Sequence, residues 1–304
     1  MNLTLVETRT WHHAEATVMG CTAELLFDGP ATLTPRAFAR LRALEQAWSR
    51  FRPNSELNRV LEQRGKWIQV SHDLFAALRW CARLHDETEG RFDPSIRPAL
   101  EQWGYDRTFR EIDESAPAPA FCVPAPGLTG LEMNPDDESV RIAPGLSIDL
   151  GGVGKGMAAD LLSAELIAMG ANGAYVCMGG DIAAAGDAPE GGWAVPLHHP
   201  DTDQPFAHHQ LREGALVMST VRMRRWKRTD GTVAHHLIDP RTGAPARTDV
   251  IAVAVAAYSA ARAEALAKAA VIAGSAAGAE LLDGFGVEGW IVTDDEVIRV
   301  GSSV

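Results

Sequence analysis

The chain has 304 residues, of which 46% are hydrophobic and 22% are charged, a composition typical of a folded globular protein. This length is enough for one large domain or two smaller ones. Acidic side chains number 40 and basic ones 28, and the net charge of −12 disfavours nucleic acid or an anionic membrane as the main partner. A small anion could still be bound locally.

The four cysteines stand far apart in apolar surroundings, without a C-x-x-C pair: Cys21, Cys81, Cys122 and Cys177. We therefore expect free, buried thiols rather than disulfides or a zinc site. The first twenty residues lack a basic segment followed by an apolar core, and no apolar run approaches the roughly 20 residues of a membrane span. We expect no transmembrane segment and a cytoplasmic location.

Two amphipathic helices are predicted in the first third of the chain. Residues 33–50 place apolar side chains at helical spacing, with Thr34 as the N-cap and Pro35 at the first helical position. A second helix is predicted from Ser71 to about His85. The proline-rich stretch 113–146 then reads as a loop that ends in strand-like sequence, and it is a weak candidate for an internal boundary.

The second half mixes helices and strands without strict alternation. A strand ends near Leu150, a helix follows at 156–169, and a strand interrupted by two glycines comes next. Beyond residue 249 the pattern predicts a buried strand, two helices and a hairpin at Asp294-Asp295. This order favours the α+β class, and we interpret residues 1–304 as a single large domain with two lobes.

The glycine-rich segment "IDLGGVGKGMAAD" (148–160) looks like a nucleotide-binding loop but matches neither standard pattern. A P-loop needs a glycine where Asp149 stands and a hydroxyl where Gly156 stands, and the glycine spacing also differs from G-x-G-x-x-G. Glycine backbone, a helix N-terminus and Lys155 could together bind a pyrophosphate. A tight turn without a ligand is an equally good interpretation of this segment alone.

Six segments in a fixed order carry a resemblance to a known family. They are "VMGCTAEL" (18–25), "FRPNSELNRVL" (51–61), "GRFDPSIRPALEQWGYD" (90–106), "IDLGGVGKGMAAD" (148–160), "GGDIAAAG" (179–186) and "HHLIDPRTGAPA" (235–246). Together they resemble the ApbE family, the FAD:protein FMN transferases, over about residues 17–275. The resemblance implies an ApbE-like, T-fold-like α+β fold with mixed sheets packed against helices.

The resemblance also implies the site. The FAD-binding positions that it implies are Met19, Phe51, Arg91, Phe92, Asp93, Asp149, Lys155 and Leu237. In the "HHLIDP" segment it implies that His235 or His236 belongs to the site. His236 and Asp239 are the candidates that would position the hydroxyl attacking FAD or accept its proton, since imidazole is a natural base near neutral pH. Turn formation is the competing interpretation of Asp-Pro-Arg-Thr-Gly. Cys21 departs from the Thr that is usual in the family after Met-Gly.

The metal motif is where the chain departs most from the family. The resemblance implies Mg²⁺ bound by the Gly152 carbonyl and by an Asp and a Ser or Thr four residues later, but Glu264 and Lys268 occupy those last two positions. Glu264 can still bind Mg²⁺, whereas an ammonium cannot. Three outcomes stay open: Lys268 replaces the metal's charge in catalysis, one Mg²⁺ is kept through Gly152 and Glu264, or catalysis is lost. A Glu264–Lys268 salt bridge is the structural alternative.

A basic cluster at 222–228 is unusual in an acidic chain and could receive a phosphate, a partner's acidic surface, or nothing but solvent. The resemblance implies that FAD is the substrate and that FMN is attached to a Thr of a partner protein while AMP leaves. Hydrolysis of FAD to FMN and AMP is the alternative within catalysis. A flavin-binding protein without turnover is the alternative outside it.

Overall fold

The computed structural model describes residues 10–113 and 115–301. Within these residues the helices are α1 (Leu33–Trp48), α2 (Glu56–Glu62), α3 (His72–Glu87), α4 (Arg97–Gln102), α5 (Gly154–Ala168), α6 (Ala260–Ala273) and α7 (Ser275–Gly284). The strands are β1 (Trp11–Val18), β2 (Cys21–Asp28), β3 (Ile68–Gln69), β4 (Leu131–Asn134), β5 (Ser139–Ile142), β6 (Gly173–Met178), β7 (Asp181–Gly186), β8 (Trp193–His198), β9 (Pro205–Leu211), β10 (Gly214–Thr220), β11 (Arg225–Lys227), β12 (Val233–His235), β13 (Ile238–Asp239), β14 (Ala244–Pro245), β15 (Val250–Ala257), β16 (Glu288–Thr293) and β17 (Val297–Val300).

One large sheet organises the described chain. Its strands follow the order β1-β2-β6-β7-β10-β15-β16-β17, and every neighbouring pair is antiparallel. Hairpins join β1 to β2, β6 to β7 and β16 to β17, the last around Asp294-Asp295 as predicted. Helices separated from a largely antiparallel sheet define the α+β class, so that prediction is confirmed.

The two faces of the sheet are covered differently. Side chains alternate along a strand, so Val217 of β10 packs in the main core with the helices, whereas Leu216 packs under the β8–β9 hairpin. In β15, Val253 faces the helices and Ala254 faces the hairpin. Burial on both sides explains the uninterrupted apolar run of β15, whose residues 250–255 are all buried.

Helices α5 and α6 cap each other. Asp160 of α5 accepts hydrogen bonds from the amides of Ala260 (2.7 Å) and Ala261 (3.0 Å) at the start of α6. In return, the carboxylate of Glu264 in α6 accepts one from the Gly156 amide (3.0 Å) in the first turn of α5. The first amides of a helix have no partner within the helix, so each carboxylate satisfies donors that would otherwise be unpaired.

The helix boundaries correct one sequence prediction. Helix α1 begins at Leu33 with Thr32 at the N-cap, so Thr34 and Pro35 lie inside its first turn. Proline is compatible with this turn because the first amides make no intrahelical bond. Each of the four cysteines in the described chain is a free thiol as expected, although only Cys81 is fully buried. None of the helices in residues 10–113 and 115–301 is long and apolar enough to cross a bilayer.

Candidate active site

Three adjoining cavities meet at the N-terminal end of α5. The apolar cavity lies beside Phe92, and the outer cavity, of about 350 Å³, lies beside Met19. The charged cavity contains Lys268. Gly151 and Arg224 line all three, so the cavities form one cleft.

Most of the predicted site residues line this cleft although they come from distant parts of the sequence. The residues are Met19, Phe51, Arg91, Phe92, Asp93, Asp149, Gly152, Lys155, His236, Leu237, Glu264 and Lys268. Asp239 is the predicted position that is outside this lining in the described chain. Its carboxylate binds the Arg241 amide and guanidinium at 3.0 Å, and its carbonyl accepts the Gly243 amide, as the turn interpretation expects.

Packing explains two glycines at the start of α5: Gly152, just before the helix, and Gly156, in its first turn. A Cβ on Gly156 would lie 2.6 Å from the Ala260 carbonyl oxygen, and one on Gly152 would lie 3.0 Å from the Phe92 ring. The turn itself is closed by the Gly154 amide, which donates to the Leu150 carbonyl (2.7 Å). These glycines permit close approach between elements, so the pattern has a structural cause whether or not a ligand binds.

Four buried charges form a network beside the turn. Lys155 contacts the Asp181 carboxylate and lies 3.3 Å from Glu264 Oε1. Lys268 donates to the same oxygen at 2.9 Å, and Glu264 Oε2 accepts the Gly156 amide. The Glu264–Lys268 salt bridge expected from the i, i+4 spacing is therefore present. The Glu264 side chain is 1% exposed, so these protein donors replace the water that would otherwise solvate its carboxylate.

Burial and neighbouring charges shift the pKa values of this network in opposite directions. Desolvation raises the pKa of Asp181, and the nearby Glu264 carboxylate raises it further, while Lys155 opposes both. Burial alone would lower the pKa of Lys155, but Asp181 and Glu264 outweigh burial and raise it. Burial lowers the pKa of Lys268, and Glu264 counteracts the shift. The carboxylates thus keep Lys155 charged.

Arg50 was missed by the sequence analysis and stands between the apolar and outer cavities. Its side chain is 2% exposed, its Nε lies 3.3 Å from Asp149 Oδ2, and its guanidinium stacks on Phe51 and Tyr105. Nε and Nη2 are buried and have no hydrogen-bond partner among the described residues. Buried polar atoms are normally satisfied, so these nitrogens are candidates for contact with a ligand.

The two adjacent histidines have different surroundings. His235 is held by the Leu237 amide at Nδ1 (3.3 Å) and by the Ala246 carbonyl at Nε2 (3.2 Å), and burial lowers its pKa to about 4. His236 lines both the apolar and the charged cavities. Its Nδ1 is buried without a partner in residues 10–113 and 115–301. Burial and then Arg224 and Lys268 lower the pKa of His236, so its imidazole is neutral at pH 7.

The loop around Asp93 forms the wall opposite the histidines. The Asp93 carboxylate accepts the Ser95 amide (2.8 Å) and lies 3.7 Å from His85 Nε2. Burial would raise the pKa of Asp93, but the hydrogen bonds from His85 and Ser95 lower it. Asp93 therefore stays ionised and fixes the loop that places Phe92 against Gly152.

Comparison with known proteins shows the family of this chain. The model of the ApbE family matches residues 19–291. The chain belongs to the ApbE family. It is 29% identical to the FAD:protein FMN transferase of Rhodobacter capsulatus over 84% of this chain, but it spans only 50% of that relative's length. It is 28% identical to the FAD:protein FMN transferase of Treponema pallidum, over 88% of this chain and 78% of the relative.

Solved ApbE structures share the fold. The ApbE protein of Thermotoga maritima matches with a TM-score of 0.84 at 22% identity, over 96% of this chain and 97% of the other. The flavin transferase ApbE of Vibrio cholerae matches with a TM-score of 0.79 at 23% identity, over 97% and 98%. The ApbE resemblance and fold predicted from the six segments are therefore confirmed.

In this ApbE-family chain the arginines of the basic cluster at 222–228 have different partners and different burial. Arg228 is buried and donates to the carbonyls of Asp113 and Pro117, and Arg222 pairs with Asp201 and Asp294. Arg224 instead lines the cleft, with a φ of 48°. Arg224 is the residue of this cluster that lines the three cavities. Its sequence signal was its position in a basic run, whereas Arg50 had no comparable signal.

Proposed function

We propose that this chain is a FAD:protein FMN transferase that attaches FMN to a threonine of a partner protein. The observation that carries the proposal is one cleft in which cations and a neutral imidazole stand together. Arg50, Arg224, Lys155 and Lys268 can bind the pyrophosphate of FAD, because guanidinium and ammonium groups are the usual phosphate ligands in proteins. The activity of the named relatives supports the same function.

The reaction is an in-line displacement at phosphorus. The threonine hydroxyl oxygen of the acceptor forms a bond to the FMN-side phosphorus, and the bond from this phosphorus to the bridging oxygen breaks. AMP leaves with the bridging oxygen and its charge, and the hydroxyl proton passes to a ring nitrogen of His236. Phosphoryl transfer depends mainly on positioning and charge stabilisation, which the cations of the cleft would provide.

His236 is suited to accept the proton because its imidazole is neutral and Nδ1 is unpaired among the described residues. The lowered pKa of His236 in the free protein arises from burial and from Arg224 and Lys268. Bound pyrophosphate would offset those two positive charges and raise the pKa of His236 towards the range of an effective base. We assign Asp239 to the turn that carries this segment.

The other cleft residues would hold the dinucleotide. Met19, in a left-handed conformation with φ of 53°, brings its methyl group to the helix start at Gly154, and a thioether packs well on planar rings. Phe51, Arg91, Phe92, Asp93 and Leu237 would surround the remaining parts of FAD. Asp149 orders the turn by accepting the Gly151 amide at 2.9 Å.

The residues present do not fit the Mg²⁺ site that the family resemblance implies. Both oxygens of Glu264 already accept protein donors, and Lys268 stands where a second oxygen ligand is expected. Mg²⁺ requires several oxygen ligands at roughly 2.0–2.1 Å in octahedral geometry. We therefore assign no step of the transfer to a metal ion.

The test is to incubate the purified chain with FAD, with and without an acceptor protein that carries an exposed threonine. Covalent flavin fluorescence on the acceptor supports the transferase, AMP without acceptor supports a hydrolase, and bound but unreacted FAD supports a binding protein.

His236→Ala should lower the transfer rate by about 10²–10⁴-fold, the usual contribution of a general base. His72→Ala, which alters an exposed ring, is the control. Equal rates for the two variants would exclude His236 as the base.

A further inference from the structure

We propose that the Lys268 ammonium takes the place of a divalent cation in this chain, so that FMN transfer proceeds without metal. This inference rests on the proposed function and concerns how the leaving phosphate is stabilised. Lys268 lines both the apolar and the charged cavities. Its Cδ lies 3.9 Å from the position that a Cβ on Gly152 would occupy, so the lysine stem runs alongside the turn that would supply a carbonyl ligand.

Both carboxylate oxygens of Glu264 already accept from protein groups. Its Oε1 accepts from Lys268 at 2.9 Å with Lys155 at 3.3 Å, and its Oε2 accepts from the Gly156 amide at 3.0 Å. A cation bound through Oε1 would compete with two ammonium groups, and one bound through Oε2 would compete with the amide at the start of α5. Like charges a few ångströms apart in a buried site repel strongly, so this exchange is unfavourable.

The charge of the network is balanced without an ion. Lys155 and Lys268 face Asp181 and Glu264, and all four side chains are 16% exposed or less. Before FAD binds, a divalent cation would leave this group with an uncompensated double positive charge. The pyrophosphate of FAD would instead meet Lys268 together with Arg224, a neighbour that also lines the charged cavity.

Lys268 can act on the leaving group without giving up its proton. As the bond from phosphorus to the bridging oxygen breaks, negative charge grows on the departing AMP phosphate. An ammonium hydrogen bond to that phosphate would stabilise this charge, in the way that preorganised donors stabilise charge in other transition states. No further reactant is needed, and the proton of the acceptor hydroxyl still passes to His236.

A second possible cation site lies on the surface, away from the cleft. Among the described residues, one group has the spacing of a metal site, and it consists of His13, Glu15 and Glu24 on β1 and β2. These side chains are largely exposed and lie outside the lining of the three cavities. An ion there would not reach the leaving phosphate through the cleft.

The first experiment measures metal binding directly. Mn²⁺ is titrated by electron paramagnetic resonance into the free chain and the FAD-saturated chain, with Glu15→Gln in the background to remove the surface group. We expect no Mn²⁺ bound at stoichiometric concentration in either state. Tight binding of one Mn²⁺ at the cleft, lost on Glu264→Gln, would overturn the proposal. This readout is independent of transfer, so failure of the proposed function leaves it decisive.

The second experiment compares rates in EDTA and in Mg²⁺. Wild-type transfer should be the same in both, and Lys268→Met should lose about 10²–10³-fold, the range seen when one charge-stabilising donor is removed. Lys268→Thr should regain activity with Mg²⁺ and bind Mn²⁺, because it supplies the missing oxygen. Lys227→Thr, at an exposed lysine of β11, is the matched control and should behave as wild type.

Three outcomes of the rate comparison would contradict the proposal. They are wild-type transfer abolished by EDTA and restored by Mg²⁺, full activity of Lys268→Met, and a Lys227→Thr effect as large as that of Lys268→Met. Circular dichroism of each variant separates a loss of rate from a loss of fold. If Lys268→Thr does not fold, the double variant with Glu264→Asp and Lys268→Thr is used instead. It carries the Asp and the Thr that the family resemblance implies at these two positions.

Discussion

Arg50 carries a buried charge whose hydrogen bonds are incomplete among the described residues. Its guanidinium is buried beside two aromatic rings, yet Nε and Nη2 have no hydrogen-bond partner in the described chain. Removing a charged group from water costs free energy unless hydrogen bonds replace the water. Asp149 at 3.3 Å compensates for part of this cost, and a bound phosphate or carbonyl oxygen would compensate for more.

We predict that Arg50→Met raises the dissociation constant for FAD by about 10–100-fold, since hydrogen bonds to a charged group contribute roughly 1.5–3 kcal/mol. Arg83→Met is the matched control, because Arg83 is exposed, pairs with Glu87 and lies outside the lining of the three cavities. Flavin fluorescence quenching measures both constants, and the melting temperature of each variant reports on folding. Identical affinities for the two variants would rule out direct contact between Arg50 and FAD.

At the scale of elements, the start of α5 and the start of α6 determine the site together. Asp160 caps α6, Glu264 caps α5, and the two helices approach so closely that only glycine fits at position 156. The same Glu264 carboxylate binds both lysines of the charged cavity. A change in the packing of these helices therefore moves the charges of the cleft.

We predict that Gly156→Ala lowers the free energy of unfolding by about 1–3 kcal/mol, the usual cost of forcing a methyl group into a packed interior. The new Cβ would lie 2.6 Å from the Ala260 carbonyl oxygen. Gly284→Ala in α7 is the matched control, because a Cβ there meets open space, and it should raise stability by up to about 1 kcal/mol. Urea unfolding measures both, and an unchanged midpoint for Gly156→Ala would contradict the packing argument.

At the scale of the whole molecule, a sheet covered on both faces supports a cleft at the edge of its helical layer. Helices cover one face and the β8–β9 hairpin covers part of the other. A separate cluster joins α4, β11, β12 and β13 through Trp103, Trp226 and Ile238, and it carries the histidine segment to the cleft. Burial of this segment couples the protonation of its histidines to the folding of the chain.

We predict that stability falls as pH decreases from 6.5 towards 4. In the unfolded chain His235 binds a proton near pH 6.5, whereas burial lowers its pKa in the folded chain to about 4. The stabilisation from neutral, buried His235 is therefore complete above pH 6.5 and is lost as the pH falls from 6.5 to 4. The pKa difference corresponds to ~3 kcal/mol. Urea unfolding at pH 7.5 and pH 4.5 should show a smaller loss for His235→Asn than for wild type. His72→Asn, at an exposed ring, should keep the wild-type loss, and equal losses in all three proteins would contradict the prediction.

Local patterns in the sequence predicted four of the helices and the terminal hairpin. Helical spacing predicted α1, α3, α5 and α6, and the turn residues predicted the hairpin at Asp294-Asp295. The order of six segments identified the ApbE family, whose model matches residues 19–291. Most of the site residues that the resemblance implied line the cleft.

The sequence by itself determined the family, the α+β class and the segments that meet at the cleft. Only the tertiary structure decided the partners of the charges: Glu264 with Gly156, 108 residues away, Asp160 with the start of α6, and Arg50 with Asp149. It also separated His235, which is held by backbone groups, from His236, which faces the cavities. Local patterns reflect neighbours along the chain, whereas burial and charge pairing depend on distances in space that only folding sets.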